Sequence, residues 1–397
     1  MTPSFGLRDR IADEIDRKGP IPFSRYMELC LYEPELGYYA RPREQFGKAG
    51  DFYTSSDVHA VFGRLLARQF EEMWRAMDSP PRIDLIELGP GRGLFARDVL
   101  DWSAKQFPDF AQAMKYALVE QSEHLRAKLR ERLREHIAAG RCEVLEPPTL
   151  SPTDGEKGGA PGVICDALEA ATTMAGDNII VFGNEFFDAL PVEIADHRGA
   201  VRVGHANGRF VETLIAPSPA EEEFLDRYGV HPEEGERVEA PLLSLGWMER
   251  IAHAFQGRRG FLVLIDYGYT REEQLAGRHR DTILCYRQHT TSSSPYEAPG
   301  EQDITAHVNF TALRARGEEC GLDTLGLVTQ SQFLLGIGEE TEFADAFQDC
   351  VLPQERAKVA LQLKHLISPA GMGETFQVLV MSHNVGVARL SGLKLAR

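Results

Sequence analysis

The stretch that decides the fold spans residues 83–93 and reads IDLIELGPGRG. Its first part, Ile83 to Leu88, is apolar and short, which is typical of a buried strand. The glycines that follow break the strand, and Leu94 to Lys105 has the pattern of a helix. Glycine lets the main chain turn sharply and approach a ligand where any Cβ would collide. This strand, turn and helix therefore predict a ligand-binding loop.

The chain around this loop predicts a layered sheet. A second strand covers Tyr116 to Glu120, and a charged helix follows it over 123–138. Strand, turn, helix and strand in this order begin a doubly wound, mostly parallel sheet, so the fold class is α/β and Rossmann-like. Later apolar runs predict further strands at Gly162–Asp166, Asn178–Phe182, 260–266, 322–328 and 375–382.

The pattern divides the chain into three parts. Residues 1–80 form an N-terminal helical cap region, and residues 81–192 together with 259–397 form the core. Residues 193–258 are an insertion, made of a β-hairpin and irregular helices. The hairpin is expected within 192–216, where polar and apolar residues alternate around Asn207 and Gly208.

Composition excludes several classes of function. The formal net charge of −17 over 397 residues repels phosphate backbones, so nucleic acid is excluded as a substrate. That charge suits a basic partner such as an arginine-bearing protein, or is simply an acidic surface. No apolar run reaches the roughly 20 residues of a membrane span, and we expect a bacterial cytoplasmic protein. The six cysteines form no CxxC pair and no HExxH motif occurs, so no metal site is expected.

Two classes of cofactor use a glycine turn of this kind. Dinucleotide enzymes carry G-x-G-x-x-G, whereas here Gly89, Gly91 and Gly93 give G-x-G-x-G. Glu87 just before the turn suits a ligand with an ammonium and a sulfonium, and S-adenosylmethionine has both. Glu120 at the end of the second strand can accept both ribose hydroxyls. A glycine turn alone is more often plain structure, but the combination predicts S-adenosylmethionine.

A second candidate site follows the strand that ends near Phe182, in the run GNEFFDALP. Ligands of open α/β sheets lie beyond the carboxyl ends of the strands, where this run falls. Glu185 and Asp188 are three residues apart, so one helical turn would place both carboxylates on one side. They could then bind an arginine guanidinium in bidentate fashion. Alternatively, Asn184, Glu185 and Asp188 cap the next helix.

Several motifs resemble those of the MidA-like methyltransferases, a family that includes the mitochondrial assembly factor of respiratory complex I. The resemblance extends over nearly the whole chain, in RYMELCLYEPELGYYA (25–40), GDFYTSSDVHAVFGRLLA (50–67), IELGPGRG (86–93), NEFFDALPVE (184–193), LIDYGY (264–269), DITAHVNF (303–310), VTQSQFLLGIG (328–338) and MGETFQVLVMS (372–382). It implies a seven-stranded class I methyltransferase fold with an N-terminal helical part over the cofactor. It also implies methylation of arginine on a protein substrate, with a complex I subunit as the substrate of the mitochondrial member.

The resemblance also assigns residues. On the cofactor side it implies Glu87, Gly89, Gly91 and Glu120, with Asp51, Thr54 and Ser55 lining the same pocket and Asp166 near the adenine. On the acceptor side it implies Asn184, Glu185 and Asp188, with Asp266, Tyr267, Asp303 and His307 nearby. The sequence departs from the family at Ser56-Asp57, where Pro-Glu is usual. His307 could instead be a packed structural residue, and Asp266 a cap for the next turn.

Three other functions remain open from the sequence. The chain could be an assembly chaperone that binds S-adenosylmethionine without turnover, although the intact acidic run favours an enzyme. It could methylate a small molecule, which a deep closed pocket would favour. A nicotinamide oxidoreductase is disfavoured by the glycine spacing. A homodimer is compatible with the fold, but no sequence feature demands one.

Overall fold

The computed structural model describes residues 6–41, 60–145, 168–287, 290–292 and 294–396. Its helices are α1 Leu7–Lys18, α2 Phe23–Tyr32, α3 Ala60–Ala76, α4 Leu94–Gln106, α5 Pro108–Ala113, α6 Glu123–Arg132, α7 Arg134–Ala138, α8 Pro219–Arg227, α9 Leu242–Ala254, α10 Arg271–Leu275, α11 Phe310–Glu319, α12 Gln330–Glu339, α13 Ala344–Phe347 and α14 Pro353–Ile367. Short 3-10 helices cover Tyr38–Ala40 and Ser391–Leu393.

The strands are β1 Ile21–Pro22, β2 Ile83–Leu88, β3 Met114–Val119, β4 Cys142–Leu145, β5 Asn178–Asn184, β6 Glu193–Asp196, β7 Gly199–Ala206, β8 Arg209–Ile215, β9 Arg237–Ala240, β10 Arg259–Tyr269, β11 Leu284–Arg287, β12 Thr290–Ser292, β13 Asp303–Thr305, β14 Val308–Asn309, β15 Asp323–Thr329 and β16 Phe376–His383. The strands predicted from residue 178 onward agree within a few residues, whereas the strand predicted at Gly162–Asp166 lies outside the described residues.

The central sheet has the strand order β15-β16-β10-β5-β2-β3-β4, with β14 paired to β10. Strands β10, β5, β2, β3 and β4 are parallel, and β16 is antiparallel to both of its neighbours. Every residue of β2 is buried, as expected where helices cover both faces of a sheet. This arrangement confirms the predicted doubly wound, mostly parallel α/β fold. The strand order reverses between β2 and β5, which is where ligands bind in such sheets.

Helices cover the two faces of the central sheet. On one face, α3 and α4 surround Phe182 of β5, with Phe95 stacked on it at a centroid distance of 4.6 Å. On the other face, α9 and α11 bury Trp247 and Phe310. The sequence assigns α3 to the N-terminal cap and α9 to the insertion, whereas both helices pack on the central sheet. An apolar stripe shows that a helix is buried but not which sheet it covers.

A smaller antiparallel sheet lies beside the core. Its strand order is β1-β7-β6-β9, and β8 also pairs with β7. Strands β7 and β8 pair antiparallel from Ala200 to Ala206. Asn207 and Gly208 connect them with φ values of 52° and 71°, which a tight hairpin turn requires. The structure therefore contains the predicted hairpin. Helices α1 and α2 pack on this sheet, and β1 pairs with β7, so the N-terminal helices join the insertion in one apolar cluster.

In the described part of the chain, no helix combines the length and hydropathy that crossing a membrane requires.

Candidate active site at the carboxyl end of the sheet

The glycine loop after β2 has the predicted strand–turn–helix form. Gly89, Gly91 and Gly93 all have positive φ values of 63°, 51° and 70°, and α4 begins directly after them. The Gly89 amide donates to the Val119 carbonyl at 3.0 Å, which fixes the loop to the end of β3. A Cβ added to Gly89 would lie 3.1 Å from Cδ2 of Phe186. Glycine is thus required for both the backbone conformation and the close approach of the acidic loop.

Glu87 lies in β2 beneath this loop and is almost completely buried. The Tyr116 hydroxyl donates to its Oε2 at 2.9 Å. Burial raises the pKa of Glu87 to about 8, the charge of Glu120 adds to the increase, and the Tyr116 hydrogen bond opposes it. The side chain therefore keeps its proton at neutral pH while no cation is beside it. Its predicted contact with a cationic ligand stays a prediction.

Glu120 follows β3 directly and faces the glycine loop. Its Oε1 accepts the Ser122 amide at 2.9 Å, and the Gly91 main chain also donates to this carboxyl group. Burial raises the pKa of Glu120 to about 7 despite these hydrogen bonds. A buried carboxyl group beside a glycine turn fits the hydroxyl groups of a ribose, as in other Rossmann-type sites. Glu87, Glu120 and the glycine loop thus lie together at the carboxyl ends of β2 and β3, a set of groups that suits a cationic nucleoside.

The acidic loop after β5 does not form the predicted helical turn. Glu185 has a φ of 51°, in the left-handed region that is rare for residues other than glycine, and the next residues form a turn outside any helix. The alternative, that these residues cap a helix, is also wrong, because β6 follows. Asn184 Nδ2 donates to Glu185 Oε1 at 2.9 Å. The Glu185 amide donates to the Ile265 carbonyl at 2.9 Å, which ties the loop to β10.

Asp266 in β10 holds this loop in place. Its Oδ2 accepts the amides of Phe186, Phe187 and Asp188 at 3.2, 3.0 and 3.3 Å, and its Oδ1 accepts the Tyr267 amide at 2.9 Å. The side chain is only 2% exposed. Burial, with the nearby Asp188 and Glu185 carboxylates, raises its pKa well above the ordinary value. The carboxyl group of Asp266 therefore positions the loop, and its predicted catalytic role stays a prediction.

Asp188 provides a buried acid at the centre of the site, 6% exposed. The Tyr267 hydroxyl donates to its carboxyl group, while within the described residues its Oδ1 has no hydrogen-bond partner. Burial raises the pKa of Asp188 to about 6, although the Tyr267 hydrogen bond acts in the opposite direction. A buried oxygen without a partner is costly unless a ligand supplies a donor, so Asp188 fits a cationic acceptor.

Three tyrosines that sequence reasoning did not select contact or approach the acids. Tyr39 donates from its hydroxyl to Asp303 Oδ1 at 3.0 Å, and Tyr32 donates to the Ala189 carbonyl at 2.8 Å. The pKa of Tyr286 is raised by burial and then by Asp188, Asp303 and Glu185. Tyr32 and Tyr39 lie in the motif LYEPELGYYA, which was the only sequence signal for them.

His307 lies at the edge of this group. Its ring packs edge-on against Tyr267 with a centroid distance of 5.3 Å, and its Nδ1 is 3.1 Å from Nδ1 of His279. Burial and the neighbouring His279 lower its pKa to about 4. These contacts favour the packed structural interpretation over a base.

The remaining predicted residues are Asp51, Thr54, Ser55 and Asp166, and they lie outside the described residues. Among the residues that the structure describes, no group of three or more His, Cys, Asp or Glu side chains could hold a metal ion.

Comparison with known proteins agrees with this geometry. The family described as "Putative S-adenosyl-L-methionine-dependent methyltransferase" matches residues 65–328. A Drosophila melanogaster relative, the mitochondrial protein arginine methyltransferase NDUFAF7 homolog, is 30% identical over 97% of this chain and 86% of its own length. The human mitochondrial protein arginine methyltransferase NDUFAF7 is 28% identical over 93% of this chain and 81% of its own length.

A solved structure is similar over almost the whole chain. It is a Burkholderia thailandensis protein crystallised with S-adenosyl-homocysteine, 28% identical, with a TM-score of 0.78 over 98% of this chain and 95% of that one. These matches confirm the predicted cofactor, and the chemistry of Glu87, Glu120 and the glycine loop fits it. The chain belongs to this family of S-adenosylmethionine-dependent methyltransferases.

Proposed function

We propose that this methyltransferase modifies arginine side chains of a protein substrate. The observation that carries the proposal is the acidic group at the carboxyl ends of β5 and β10. Asp188 lies there with a buried oxygen that has no hydrogen-bond partner among the described residues. The charges of Asp188, Asp303 and Glu185 all raise the pKa of one tyrosine, Tyr286. The relatives named as protein arginine methyltransferases support the same acceptor.

The chemistry of guanidinium explains why carboxylates are needed. With a pKa near 13.8, the group is protonated and its charge is delocalised over three nitrogens. Carboxylates that bind two of these nitrogens concentrate the positive charge there, so the third nitrogen becomes more nucleophilic. When bound, S-adenosylmethionine supplies a methyl group on a positively charged sulfur. The guanidinium nitrogen would take this methyl group, the sulfur would keep the electron pair of the broken C–S bond as a neutral thioether, and the proton lost from that nitrogen would pass to solvent water.

The residues of the chain have separate parts in this proposal. Glu185, half-buried and held by Asn184, binds the guanidinium from the loop. Asp188 binds it from below, and Asp266 fixes the spacing of the two through the loop amides. Alignment of the acceptor nitrogen with the methyl group then provides much of the rate by proximity.

The biological setting is part of the proposal. A respiratory complex I subunit is the first protein substrate to test, the location is the bacterial cytoplasm, and the active form is a homodimer. Transfer of labelled methyl groups to purified complex I subunits tests the first point, cell fractionation the second and light scattering the third.

The decisive experiment compares Glu185→Gln with the unmodified protein. We expect transfer of labelled methyl groups to protein arginine to fall about 100-fold, a loss typical when one stabilising group is removed from an active site. The affinity for S-adenosylmethionine should change less than about threefold, because the cofactor contacts remain. Glu222→Gln, which alters an exposed glutamate of α8, is the matched control.

The other outcomes identify the alternatives. Label recovered in a small molecule would indicate a small-molecule methyltransferase. Tight binding of the cofactor, with no transfer to any component of a lysate, would indicate an assembly chaperone. Unchanged transfer in Glu185→Gln would refute the role given to this carboxylate.

A further inference from the structure

The segment between α2 and Arg41 brings two tyrosines into the site. Helix α2 ends at Tyr32, and the chain turns back at Gly37, whose amide donates to the Glu33 carbonyl at 2.9 Å. A Cβ at Gly37 would lie 2.5 Å from the Glu33 nitrogen, so only glycine permits this tight turn. The turn stacks Tyr39 on Tyr32 with ring centroids 5.5 Å apart. The two rings therefore pack as one unit.

The main chain of Tyr39 is bonded to the cofactor side. Its carbonyl accepts the hydroxyl of Ser122 at 2.8 Å. The Ser122 amide donates to Glu120, and the Ser122 hydroxyl also accepts the Leu125 amide as the N-cap of α6. The turn that carries Glu120, the start of α6 and the backbone of Tyr39 are thus joined by hydrogen bonds.

The side chain of Tyr39 is bonded to the acceptor side. Its hydroxyl donates to Asp303 Oδ1, an oxygen that also accepts the Ile304 amide at 3.1 Å. Asp303 is only 1% exposed. The acidic loop is joined to the residue that follows β13, because the Ala306 amide donates to the Asp188 carbonyl at 3.0 Å. One residue thus connects the ribose-side turn with β13 and its acid.

We propose that Tyr39 is a positioning residue through which cofactor bound at Glu120 orders Asp303 and β13 on the acceptor side. A ribose held by Glu120 fixes the turn at residues 120–122, and Ser122 then fixes the Tyr39 main chain. With its main chain fixed, the stacked ring of Tyr39 holds the Asp303 carboxyl group in place through its hydroxyl. Acceptor alignment improves when the cofactor is present, which favours binding of the cofactor first. The inference rests on the proposed acceptor site.

A second connection makes the test specific. The acidic loop also touches the cofactor loop directly, because Phe186 lies against Gly89. Cofactor binding can therefore reach residues 186–188 without Tyr39. Loss of the Tyr39 hydroxyl should uncouple β13 while leaving the acidic loop coupled.

Hydrogen exchange of the full chain with and without S-adenosylhomocysteine tests this coupling. In the unmodified protein the ligand should slow exchange about fivefold or more in peptides covering both 186–190 and 300–307, a size typical of linked sites. In Tyr39→Phe the protection of 300–307 should fall to what remains at the Ala306 amide, which the Asp188 carbonyl still holds. The protection of 186–190 should stay, and ligand affinity should change less than about threefold. Tyr26→Phe is the matched control, because it loses buried hydroxyl bonds to the Pro295 carbonyl and the Cys30 thiol, neither of which involves Glu120, Ser122 or Asp303.

Asp303→Asn separates the hydrogen bond from the charge. Its amide oxygen can still accept the Tyr39 hydroxyl, so ligand-dependent protection of 300–307 should persist. Equal protection of 300–307 in Tyr39→Phe and the unmodified protein, or no protection in the unmodified protein, would overturn the proposal. The measurement needs no acceptor, so a failure of the arginine proposal would show separately as absent transfer to arginine.

Discussion

Replacement of Glu87 by Gln should stabilise the unliganded protein, and more so as the pH rises. Glutamine has the shape of a protonated glutamic acid, and its Oε1 can still accept the Tyr116 hydroxyl that now donates to Glu87. The folded protein holds the Glu87 proton up to a pKa of about 8, whereas the ordinary value is 4.5. Above pH 4.5 the unfolded chain therefore binds fewer protons than the folded chain, and stability falls with pH.

The size of the effect follows from this difference in pKa. Each tenfold change in proton affinity is worth about 1.4 kcal/mol, so Glu87 costs the folded state about 4 kcal/mol at pH 8. At pH 5 the cost is below about 1 kcal/mol, because this pH lies only about half a unit above the ordinary pKa of 4.5. We expect Glu87→Gln to gain about 1–4 kcal/mol over the unmodified protein between these two pH values.

Thermal unfolding at pH 5 and pH 8 measures this gain without ligand. The cost of burying the glutamine amide is the same at both pH values. It therefore cancels when the difference in stability between the two proteins at pH 5 is subtracted from that at pH 8. Glu222→Gln serves as the control for loss of a glutamate on the surface. The reasoning would be refuted if the difference in Tm between Glu87→Gln and the unmodified protein were the same at both pH values.

Two further substitutions test the loops. Gly89→Ala places a non-glycine residue at a φ of 63° and a Cβ 3.1 Å from Phe186, which should cost about 1–3 kcal/mol of strain. We expect weaker cofactor binding by calorimetry, and an unchanged affinity would contradict this. Asp266→Ala leaves the amides of Phe186, Phe187, Asp188 and Tyr267 without their acceptor, so methyl transfer should fall more than about tenfold with S-adenosylmethionine affinity nearly unchanged. Equal transfer would show that the loop keeps its shape alone.

The cofactor side of the site could be predicted because its signals are local. The strand, the glycine turn and the helix follow one another within residues 83–106, and each is determined by its own residues. Glu120 could be placed because parallel strands end at the same edge of a sheet. The hairpin at Asn207 and Gly208 was predicted for the same reason, since glycine and asparagine accept positive φ values.

The acceptor-side residues came from the family resemblance, but their geometry could not be predicted, because contacts distant in sequence determine it. A three-residue spacing predicts a helical turn for Glu185 and Asp188. The conformation of their loop is instead set by hydrogen bonds to the carboxyl group of Asp266, about eighty residues later in the chain. Tyr39 and Asp303 are separated by 264 residues, and neither identifies the other in the sequence. Hydrophobic periodicity describes one helix or strand at a time. It cannot show that a distant side chain, here Asp266, accepts the backbone amides that a helix would otherwise pair.

The two sides of the site meet at the point where the strand order reverses. Phe186 packs edge-on against Trp247 at 5.0 Å and lies against Gly89, while its amide is held by Asp266. The acidic loop is therefore fixed by β10 below and by the cofactor loop beside it. A loop held in this way can keep Glu185 in a left-handed conformation that would be costly in isolation. Glu185 is both the residue with the strained backbone and the residue that we propose binds the acceptor. Contacts from the surrounding fold can hold such a residue in a costly conformation, so a functional side chain can be placed there.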